Sequence, residues 1–166
     1  FKKPTPIQQE SIPYLLKNKG DLIALAQTGT GKTAAFGIPI LEKVNRKKNS
    51  TQAIILCPTR ELCLQISKDI ELFAKYLKDI KITAVYGGTN ISTQIKSLKT
   101  GSQIIVGTPG RVIDLIKRKA LKLQEVDFVV LDEADEMLNM GFKDDLDTIL
   151  AETPIKKQSL LFSATM

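Results

Sequence analysis

The stretch AQTGTGKT, residues 26 to 33, decides the fold of this chain. A glycine-rich loop of this kind can turn its backbone N–H groups inward around phosphate oxygens, because Gly29 and Gly31 tolerate backbone angles that a β-carbon forbids. Lys32 can then bring a positive charge to the outer phosphates, and the hydroxyl of Thr33 can bind magnesium. The stretch therefore predicts a phosphate-binding loop that joins a strand to the helix after it.

A pair of acidic residues supplies the groups that this loop lacks. Asp132 and Glu133 follow directly after the apolar run of residues 128 to 131. A carboxylate at the end of a buried strand can anchor a hydrated metal ion, and a second carboxylate can orient or deprotonate water. We predict that Asp132 and Thr33 hold the metal and that Glu133 acts on water. Lys32 completes the predicted catalytic group.

Both motifs also have a purely structural interpretation. The loop can be a strand-to-helix turn that binds nothing, and its first residue, Ala26, departs from the glycine of the strict phosphate-loop pattern. The acidic pair can simply stabilise a helix start. Lys32 favours the functional interpretation, because a cation at a helix start is unfavourable without a nearby anion. The two motifs together, each after an apolar run, predict a nucleoside triphosphate site.

Short apolar runs recur along the whole chain and predict the strands. Most are continuous rather than alternating, as expected for strands buried on both faces of a parallel sheet. Apolar residues at helical spacing lie between the runs, as in the stripe Leu62, Ile66, Ile70, Phe73 and Leu77. We predict one open α/β sheet with helices on both faces and with strands at residues 21–26, 53–57, 82–86, 103–106, 127–131 and 159–162. The motifs all follow these strands, where the ligands of such sheets gather.

Length and composition describe a single ordinary domain over residues 1–166, without an interdomain linker or an internal repeat. The chain begins with Phe1 rather than methionine, and it stops at Met166, directly after a stretch that is argued below to be functional. We therefore expect it to be a piece of a longer chain. The net charge of +6 favours an anionic partner.

Several classes of protein are excluded by what the sequence lacks. It contains no histidine, which excludes nucleophiles activated by histidine and zinc sites that use it. Its two cysteines lack the CxxC spacing and indicate neither a zinc site nor a disulfide framework. No run is long and apolar enough to span a bilayer, so we predict a cytoplasmic protein without a membrane partner.

The segment Thr5-Pro6-Ile7-Gln8 has two interpretations. Threonine followed three residues later by glutamine is a capping box, and proline suits the first helical position. Glutamine can also bind adenine through its N6 and N7 atoms. In that case Phe1, seven residues before Gln8, can stack on the base. The local sequence favours the capping box.

The complete set of motifs resembles the first RecA-like domain of a DEAD-box ATP-dependent RNA helicase. The resemblance covers essentially the entire chain and rests on Phe1, PTPIQ (4–8), AQTGTGKT (26–33), PTREL (58–62), Gly87-Gly88, TPGR (108–111), DEAD (132–135) and SAT (163–165). It implies a RecA-like fold of the P-loop NTPase class, with ATP and Mg²⁺ as cofactors. It also implies that the nucleotide is bound by Phe1, Gln8, Ala26, Gln27, Thr28, Gly29, Thr30, Gly31, Lys32 and Thr33.

The same resemblance implies contacts with the sugar-phosphate backbone of single-stranded RNA or a short duplex. The implied residues are Thr59, Arg60, Gly87, Gly88, Thr108, Gly110 and Arg111. Their chemistry fits this role, because glycines allow close approach, helix N-termini attract phosphate and arginine binds phosphate bidentately. A structural alternative stays open, since Thr108 can merely cap a helix and the two glycines can merely form a turn. Backbone contacts carry little base specificity.

The resemblance finally implies a coupling element and a partner domain. Ser163 and Thr165 match hydroxyl groups that bind the last aspartate of the DEAD motif, here Asp135. In the family a second RecA-like domain closes over ATP and RNA, so we expect this chain alone to bind nucleotide weakly and to hydrolyse ATP very slowly. No oligomer is implied. The alternatives are an RNA-binding scaffold with an inactive nucleotide pocket and another P-loop helicase or translocase that acts on DNA.

Overall fold

The computed structural model describes residues 2 to 165, and within them the chain alternates between strands and helices. The strands are Leu22–Leu25 (β1), Ala53–Leu56 (β2), Ile82–Val85 (β3), Ile104–Gly107 (β4), Phe128–Asp132 (β5) and Gln158–Ser163 (β6). The helices are Pro6–Lys17 (α1), Lys32–Lys43 (α2), Arg60–Phe73 (α3), Ile91–Lys99 (α4), Pro109–Lys117 (α5), Ala134–Asn139 (α6) and Lys143–Ala151 (α7).

The six strands form one parallel sheet in the order β1-β6-β5-β2-β4-β3. Each strand begins and ends within one residue of a predicted run. The prediction of an open α/β sheet is therefore confirmed. All six carboxyl ends lie along the same edge of the sheet, because all strands run in one direction.

Alternate residues of the central strands supply two hydrophobic cores, one on each face of the sheet. On one face, Ile55 packs with Phe36 of α2 and Ile66 of α3. On the other face, Ile54 packs with Leu115 of α5. Each fully buried side chain of this size contributes about 1.5–3 kcal/mol relative to an exposed one. The helices thus cover both faces, and the edge with the carboxyl ends carries the loops.

The predicted apolar stripe of α3 is slightly longer than the helix that carries it. The helix ends at Phe73, and its last predicted member, Leu77, lies in the turn that follows. The N–H of Leu77 donates to the carbonyl of Ala74 at 2.8 Å in that turn. Leu77 still packs against the core on the α2 and α3 side. The stripe therefore marks a buried face correctly but not the helix end.

Two predictions from composition concern cysteines and membranes. Cys57 and Cys63 are both free and buried. The neighbouring Cys63 and burial raise the pKa of the Cys57 thiol. The pair serves as core packing. Within residues 2 to 165, no helix has the length and apolar character that crossing a membrane requires.

Candidate functional site

The order of the strands sorts the predicted site residues into two groups along one edge. The three strands β1, β6 and β5 are neighbours, and the loops after them carry the phosphate loop, the SAT segment and the DEAD segment. The strands β2, β4 and β3 form the other half of the sheet. The loops after these three carry the segments with a predicted RNA role. We call the two groups the nucleotide half and the RNA half.

The phosphate loop has the backbone geometry that its two glycines permit. Gly29 has φ of 83° and Gly31 has φ of 79°, both in the left-handed region. Within the loop, the hydroxyl of Thr30 donates to the carbonyl of Gln27 at 2.6 Å. Gly31 is the N-cap of α2 and has no side chain that could accept hydrogen bonds from the N–H groups of the first turn. The amide groups at the start of α2 therefore face the loop as donors for an anion.

Gln8 does what the capping box predicts and also contacts the phosphate loop. Its Oε1 accepts the N–H of Thr5 at 3.0 Å, while its Nε2 donates to the carbonyl of Gly31 at 3.1 Å. The hydroxyl of Thr5 donates to the carbonyl of Thr30 at 2.8 Å. Since an amide has two acceptor and two donor positions, Gln8 keeps one of each, which is what the N6 and N7 edge of adenine requires. The predicted stacking residue, Phe1, lies outside the described residues.

Lys32, Asp132 and Glu133 converge at the mouth of this loop. The Nζ of Lys32 lies 3.0 Å from Oδ1 of Asp132 and 3.7 Å from Oε1 of Glu133. Although the shorter distance marks an ion pair, neither oxygen of Asp132 has a hydrogen bond of good geometry. Asp132 is fully buried, and burial raises the pKa of its carboxyl although Lys32 opposes the shift. The site therefore holds a buried carboxylate that is short of partners.

The side chains at this point fit a magnesium ion carried by phosphate. The buried carboxylate oxygens of Asp132 and the hydroxyl of Thr33 are hard oxygen donors, the type that Mg²⁺ prefers. Within the described part of the chain, no group of three or more His, Cys, Asp or Glu residues could hold a metal ion. Mg²⁺ keeps several waters and binds one or two carboxylates together with substrate phosphates, so the carboxylate of Asp132 and the hydroxyl of Thr33 fit this ion.

Glu133 has an unusual backbone and a more open side chain. Its φ of 54° and ψ of 50° lie in the left-handed region, where residues other than glycine are strained by about 1–3 kcal/mol. Its carboxylate is partly exposed, and Thr28 donates a long hydrogen bond of 3.5 Å to its Oε1. The two carboxylates thus differ in environment, with one buried and one open to water.

A cavity of about 360 Å³ opens in front of these groups and extends towards α3. Besides the phosphate loop and the two carboxylates, its walls include Gln65, Asp69 and Leu72. These three residues were not predicted as site residues, because their helical spacing from Leu62 and Ile66 indicates only that they belong to the same helix. A larger cleft of about 900 Å³, lined by residues 44–47, 49, 78–81, 100, 101 and 103, contains none of the predicted site residues.

The residues with a predicted coupling role lie at the boundary between β6 and the DEAD segment. The backbone N–H and the hydroxyl of Thr165 both donate to Oδ2 of Asp135, at 3.1 and 2.9 Å. Ser163 differs from the expectation, since its hydroxyl accepts the backbone N–H of Asp135 at 3.3 Å. Burial favours a higher pKa for Asp135, but hydrogen bonds with Thr165, Ser163 and the N–H of Glu136 outweigh it and lower the pKa. The carbonyl of Ser163 also accepts the N–H of Ala26 at 2.9 Å, which ties this boundary to the phosphate loop.

In the RNA half, Thr59 and Arg60 begin α3. The hydroxyl of Thr59 caps this helix by accepting the N–H of Leu62 at 3.2 Å. The guanidinium of Arg60 lies over the ring of Tyr86, 5.0 Å from its centroid. Gly88, with φ of 83°, lies so close that an added β-carbon would stand 3.7 Å from Nη1 of Arg60. The glycine pair and the first arginine therefore share one surface.

The TPGR segment begins α5 on the same surface. Thr108 occupies the N-cap position but makes no side-chain capping bond, so simple capping does not explain this residue. Gly87 and Gly110 are exposed, with open space where a β-carbon would stand. Nη1 and Nη2 of Arg111 donate to the side chain of Gln94 and to the carbonyl of Thr89. The sequence analysis missed these two partners of Arg111. One feature could have identified Gln94, since it is a polar residue at a position where the helical spacing of Ile91 and Ile95 favours an apolar one.

Comparison with known proteins gives a consistent result. The family model described as DEAD/DEAH box helicase matches residues 5–166. The ATP-dependent RNA helicase CshA of Listeria monocytogenes is 57% identical over all 166 residues, which cover 32% of that protein. The DEAD-box ATP-dependent RNA helicase CshA of Streptococcus pneumoniae is 54% identical, with 31% of its length covered. A DEAD box protein of Methanococcus jannaschii matches with a TM-score of 0.93 at 50% identity, over 99% of this chain and 44% of that one. The chain spans about a third of the length of the two curated relatives.

Proposed function

Because this chain belongs to the DEAD/DEAH box helicase family, we propose that it is the amino-terminal ATP- and RNA-binding domain of a cytoplasmic ATP-dependent RNA helicase. The observation that carries the proposal is the convergence of Lys32, Asp132 and Glu133 at the mouth of the phosphate loop. The names of the curated relatives support it, since they are ATP-dependent RNA helicases. The domain would couple ATP binding and hydrolysis to the local separation of RNA strands.

In the nucleotide half, each side chain takes one role. Lys32 exchanges its ion pair with Asp132 for the outer phosphates of ATP, which releases the buried carboxylate. Asp132 and Thr33 hold the Mg²⁺ ion, which supplies positive charge to the phosphates when it is bound. Glu133, with its partly exposed carboxylate, orients the attacking water. Gln8 binds the adenine edge from its place beside Gly31.

The RNA half binds the sugar-phosphate backbone of single-stranded RNA or a short duplex. Arg60 and Arg111 supply charge, and the exposed glycines allow the strand to approach the backbone closely. The full set of contact residues is Thr59, Arg60, Gly87, Gly88, Thr108, Gly110 and Arg111. Because these groups address phosphate and sugar, binding is expected to depend strongly on salt and weakly on sequence.

Coupling between the two halves runs through Asp135, Ser163 and Thr165. The hydrogen bonds between Thr165 and Asp135 hold the end of the DEAD segment against the end of β6. A second RecA-like domain completes the site by closing over ATP and RNA. The greater length of the curated relatives leaves room for such a domain. The chain by itself would bind adenine nucleotides weakly and hydrolyse ATP very slowly. The proposal includes no membrane partner and implies no oligomer.

The decisive experiment is an ATPase assay on the helicase that contains both RecA-like domains. We expect the Glu133→Gln variant to lose RNA-stimulated ATP hydrolysis by about 100-fold or more, because the group that orients water is gone. Glu136→Gln is the matched control, since it makes the same change at an exposed glutamate of α6 and should leave the rate unchanged.

Two outcomes would favour the alternatives. If Glu133→Gln left ATP hydrolysis unchanged, the chain would be an RNA-binding scaffold with an inactive pocket. If Gln8→Ala kept the same preference for ATP over GTP, or if the parent protein used both nucleotides equally, another type of P-loop motor would be indicated. Binding to single-stranded DNA as tight as binding to RNA would point the same way.

A further inference from the structure

Gln94 is a buried polar residue that belongs to none of the motifs. Among the described residues of α4, Gln94 is the one that is buried, with 7% of its surface exposed. The apolar residues of the same helix, Ile91, Ile95 and Leu98, are only partly buried. Burial of an amide is unfavourable unless its polar atoms are hydrogen-bonded. A polar side chain at the most buried position of a helix therefore requires a specific explanation.

The hydrogen bonds of Gln94 supply that explanation. Its Nε2 donates to the carbonyl of Tyr86 and to the hydroxyl of Thr89, both at 3.1 Å. Its Oε1 accepts from Nη1 of Arg111 at 3.0 Å. Nη2 of the same guanidinium donates to the carbonyl of Thr89 at 3.1 Å. Gln94 and Thr89 thus hold the arginine by both of its terminal nitrogens, while Gln94 also holds the loop after β3.

That loop also contacts the other arginine of the surface. The ring of Tyr86 lies under the guanidinium of Arg60, and Gly88 stands beside the same group. The carbonyl of Tyr86 is one of the two atoms that receive the Nε2 donors of Gln94. This single amide thus joins the loop after β3 to the arginine at the start of α5, and the ring of Tyr86 extends the arrangement to Arg60 at the start of α3.

We propose that Gln94 is a positioning residue for RNA binding, which fixes Arg111 and the loop of residues 86–89 in the geometry that the phosphate backbone meets. The inference rests on the proposed function of Arg111. An arginine that is already oriented loses less conformational freedom when it binds a phosphate, so affinity is gained without a new contact to RNA. Gln94 itself touches no RNA in this account.

The test measures the affinity of a fluorescent single-stranded RNA for the two-domain helicase by anisotropy, over a series of salt concentrations. The variant is Gln94→Leu, which keeps the size of the side chain and removes its hydrogen bonds. We expect affinity to fall by about tenfold, the effect of losing one hydrogen bond to a charged group. The slope of log K against log salt should become shallower, by up to about 0.7 for one lost phosphate contact. The affinity for ATP should not change.

Two further variants separate positioning from general damage. Gln103→Leu is the matched control, because Gln103 is also buried and hydrogen-bonded but directly precedes β4, at the opposite end of the strands. It should leave RNA affinity and the salt slope as they are. In the double variant with Arg111→Ala, the change at Gln94 should add almost no further loss, because the residue it positions is absent. If Gln94→Leu does not fold, Gln94→Met takes its place.

The outcomes distinguish this inference from the proposed function. If Arg111→Ala leaves RNA affinity unchanged, the proposed RNA surface is wrong and the inference falls with it. If Arg111→Ala weakens binding but Gln94→Leu does not, only the inference is overturned. A loss at Gln94 that simply adds to the loss at Arg111, or one that Gln103→Leu reproduces, would also overturn it.

Discussion

Removal of the positive charge at Lys32 should destabilise the folded chain, even without nucleotide. Lys32 and Asp132 form a buried ion pair, with 7% and 0% of their side chains exposed. In Lys32→Met the stem of the side chain is largely kept, but the carboxylate of Asp132 loses its nearest cation. A buried charge without a partner is among the more costly features that a single substitution can create.

The size of the effect follows from the distance. Two unit charges 3.0 Å apart attract by about 5 kcal/mol at an effective dielectric constant of about 20. Experience with buried pairs places the loss on removing one partner at about 3–5 kcal/mol. We therefore expect Lys32→Met to lower the free energy of unfolding by about 3 kcal/mol near neutral pH, because Asp132 can escape part of the penalty by taking up a proton.

The pH dependence has a definite sign. Burial already raises the pKa of Asp132 above its ordinary value in the folded chain, and Lys32 opposes that shift. Without Lys32 the pKa rises further, so the folded chain binds a proton that the unfolded chain has released. Stability therefore falls as pH rises through the window between the unfolded and the folded pKa. The deficit of the variant should be large at about pH 7.5 and smaller at about pH 5.

Urea denaturation in the presence of a chelator and without nucleotide measures these quantities. Lys68→Met is the control, since Lys68 is exposed on α3 and its loss should change stability by no more than about 0.5 kcal/mol. The double variant with Asp132→Asn should recover most of the stability, because the stranded charge is gone. The reasoning is refuted if Lys32→Met lowers the free energy of unfolding by less than about 1 kcal/mol near neutral pH. It is also refuted if Lys32→Met causes the same loss in the parent chain and in the Asp132→Asn variant.

Two further predictions concern the phosphate loop and the coupling residues. Gly31→Ala should destabilise the chain by about 2–3 kcal/mol in urea denaturation, because its φ of 79° is unfavourable for alanine and the new β-carbon would clash with Nε2 of Gln8. Gly29→Ala has a similar φ but open space around it, so only the backbone strain of about 1 kcal/mol should appear, and equal losses would contradict the role of the contact. Thr165→Val should raise the pKa of Asp135 part of the way towards its ordinary value, as measured by NMR titration of the carboxyl carbon, because it removes the hydroxyl donor to the carboxylate and leaves the backbone N–H donor in place. The lowered pKa of Asp135 stabilises the folded chain at pH values above the unfolded pKa, and this stabilisation is lost as pH falls through the folded pKa. The free energy of unfolding of the variant should therefore depend less on pH in the acid range. An unchanged titration midpoint of Asp135 would contradict this expectation.

The sheet could be predicted from the sequence because its strands are buried on both faces. A strand such as Ala53–Leu56 is then a continuous apolar run, and it stands out against the turn residues around it. The order of the strands could not be predicted from such runs, since nothing in residues 22–25 says that they pair with residues 160–163. The motifs supplied that information only indirectly, by requiring the phosphate loop and the DEAD segment to meet.

The groups with a predicted catalytic role could be identified from the sequence as residues, but their electrostatic arrangement could not. The spacing of Lys32, Asp132 and Glu133 indicated a shared site, yet it gave no sign that one carboxylate is buried and the other open. That difference arises because Asp132 is the last residue of β5, whereas Glu133 turns away in a left-handed conformation. A β-strand pattern shows where a strand ends but not the backbone angles of the residue that follows.

The partners of Arg111 were invisible for a related reason. Gln94 precedes Arg111 by 17 residues and lies on a different helix, so the hydrogen bond between them depends on how α4 and α5 sit at the sheet edge. Local patterns describe each helix by itself. The one available sign was that a glutamine stood where the amphipathic pattern of α4 favours an apolar residue.

The RNA half of the sheet has a consequence for protein engineering. Its three strands and the helices between and after them come from one uninterrupted segment, residues 53–117, whereas the nucleotide half is assembled from the segments on either side. A chimera in which residues 53–117 are replaced by the same segment of a relative needs only two junctions in the chain. Only one strand pairing, that of β2 with β5, would then join strands from different proteins. Under the proposed function, the RNA affinity of such a hybrid should follow the donor of this segment, while its affinity for ATP follows the recipient.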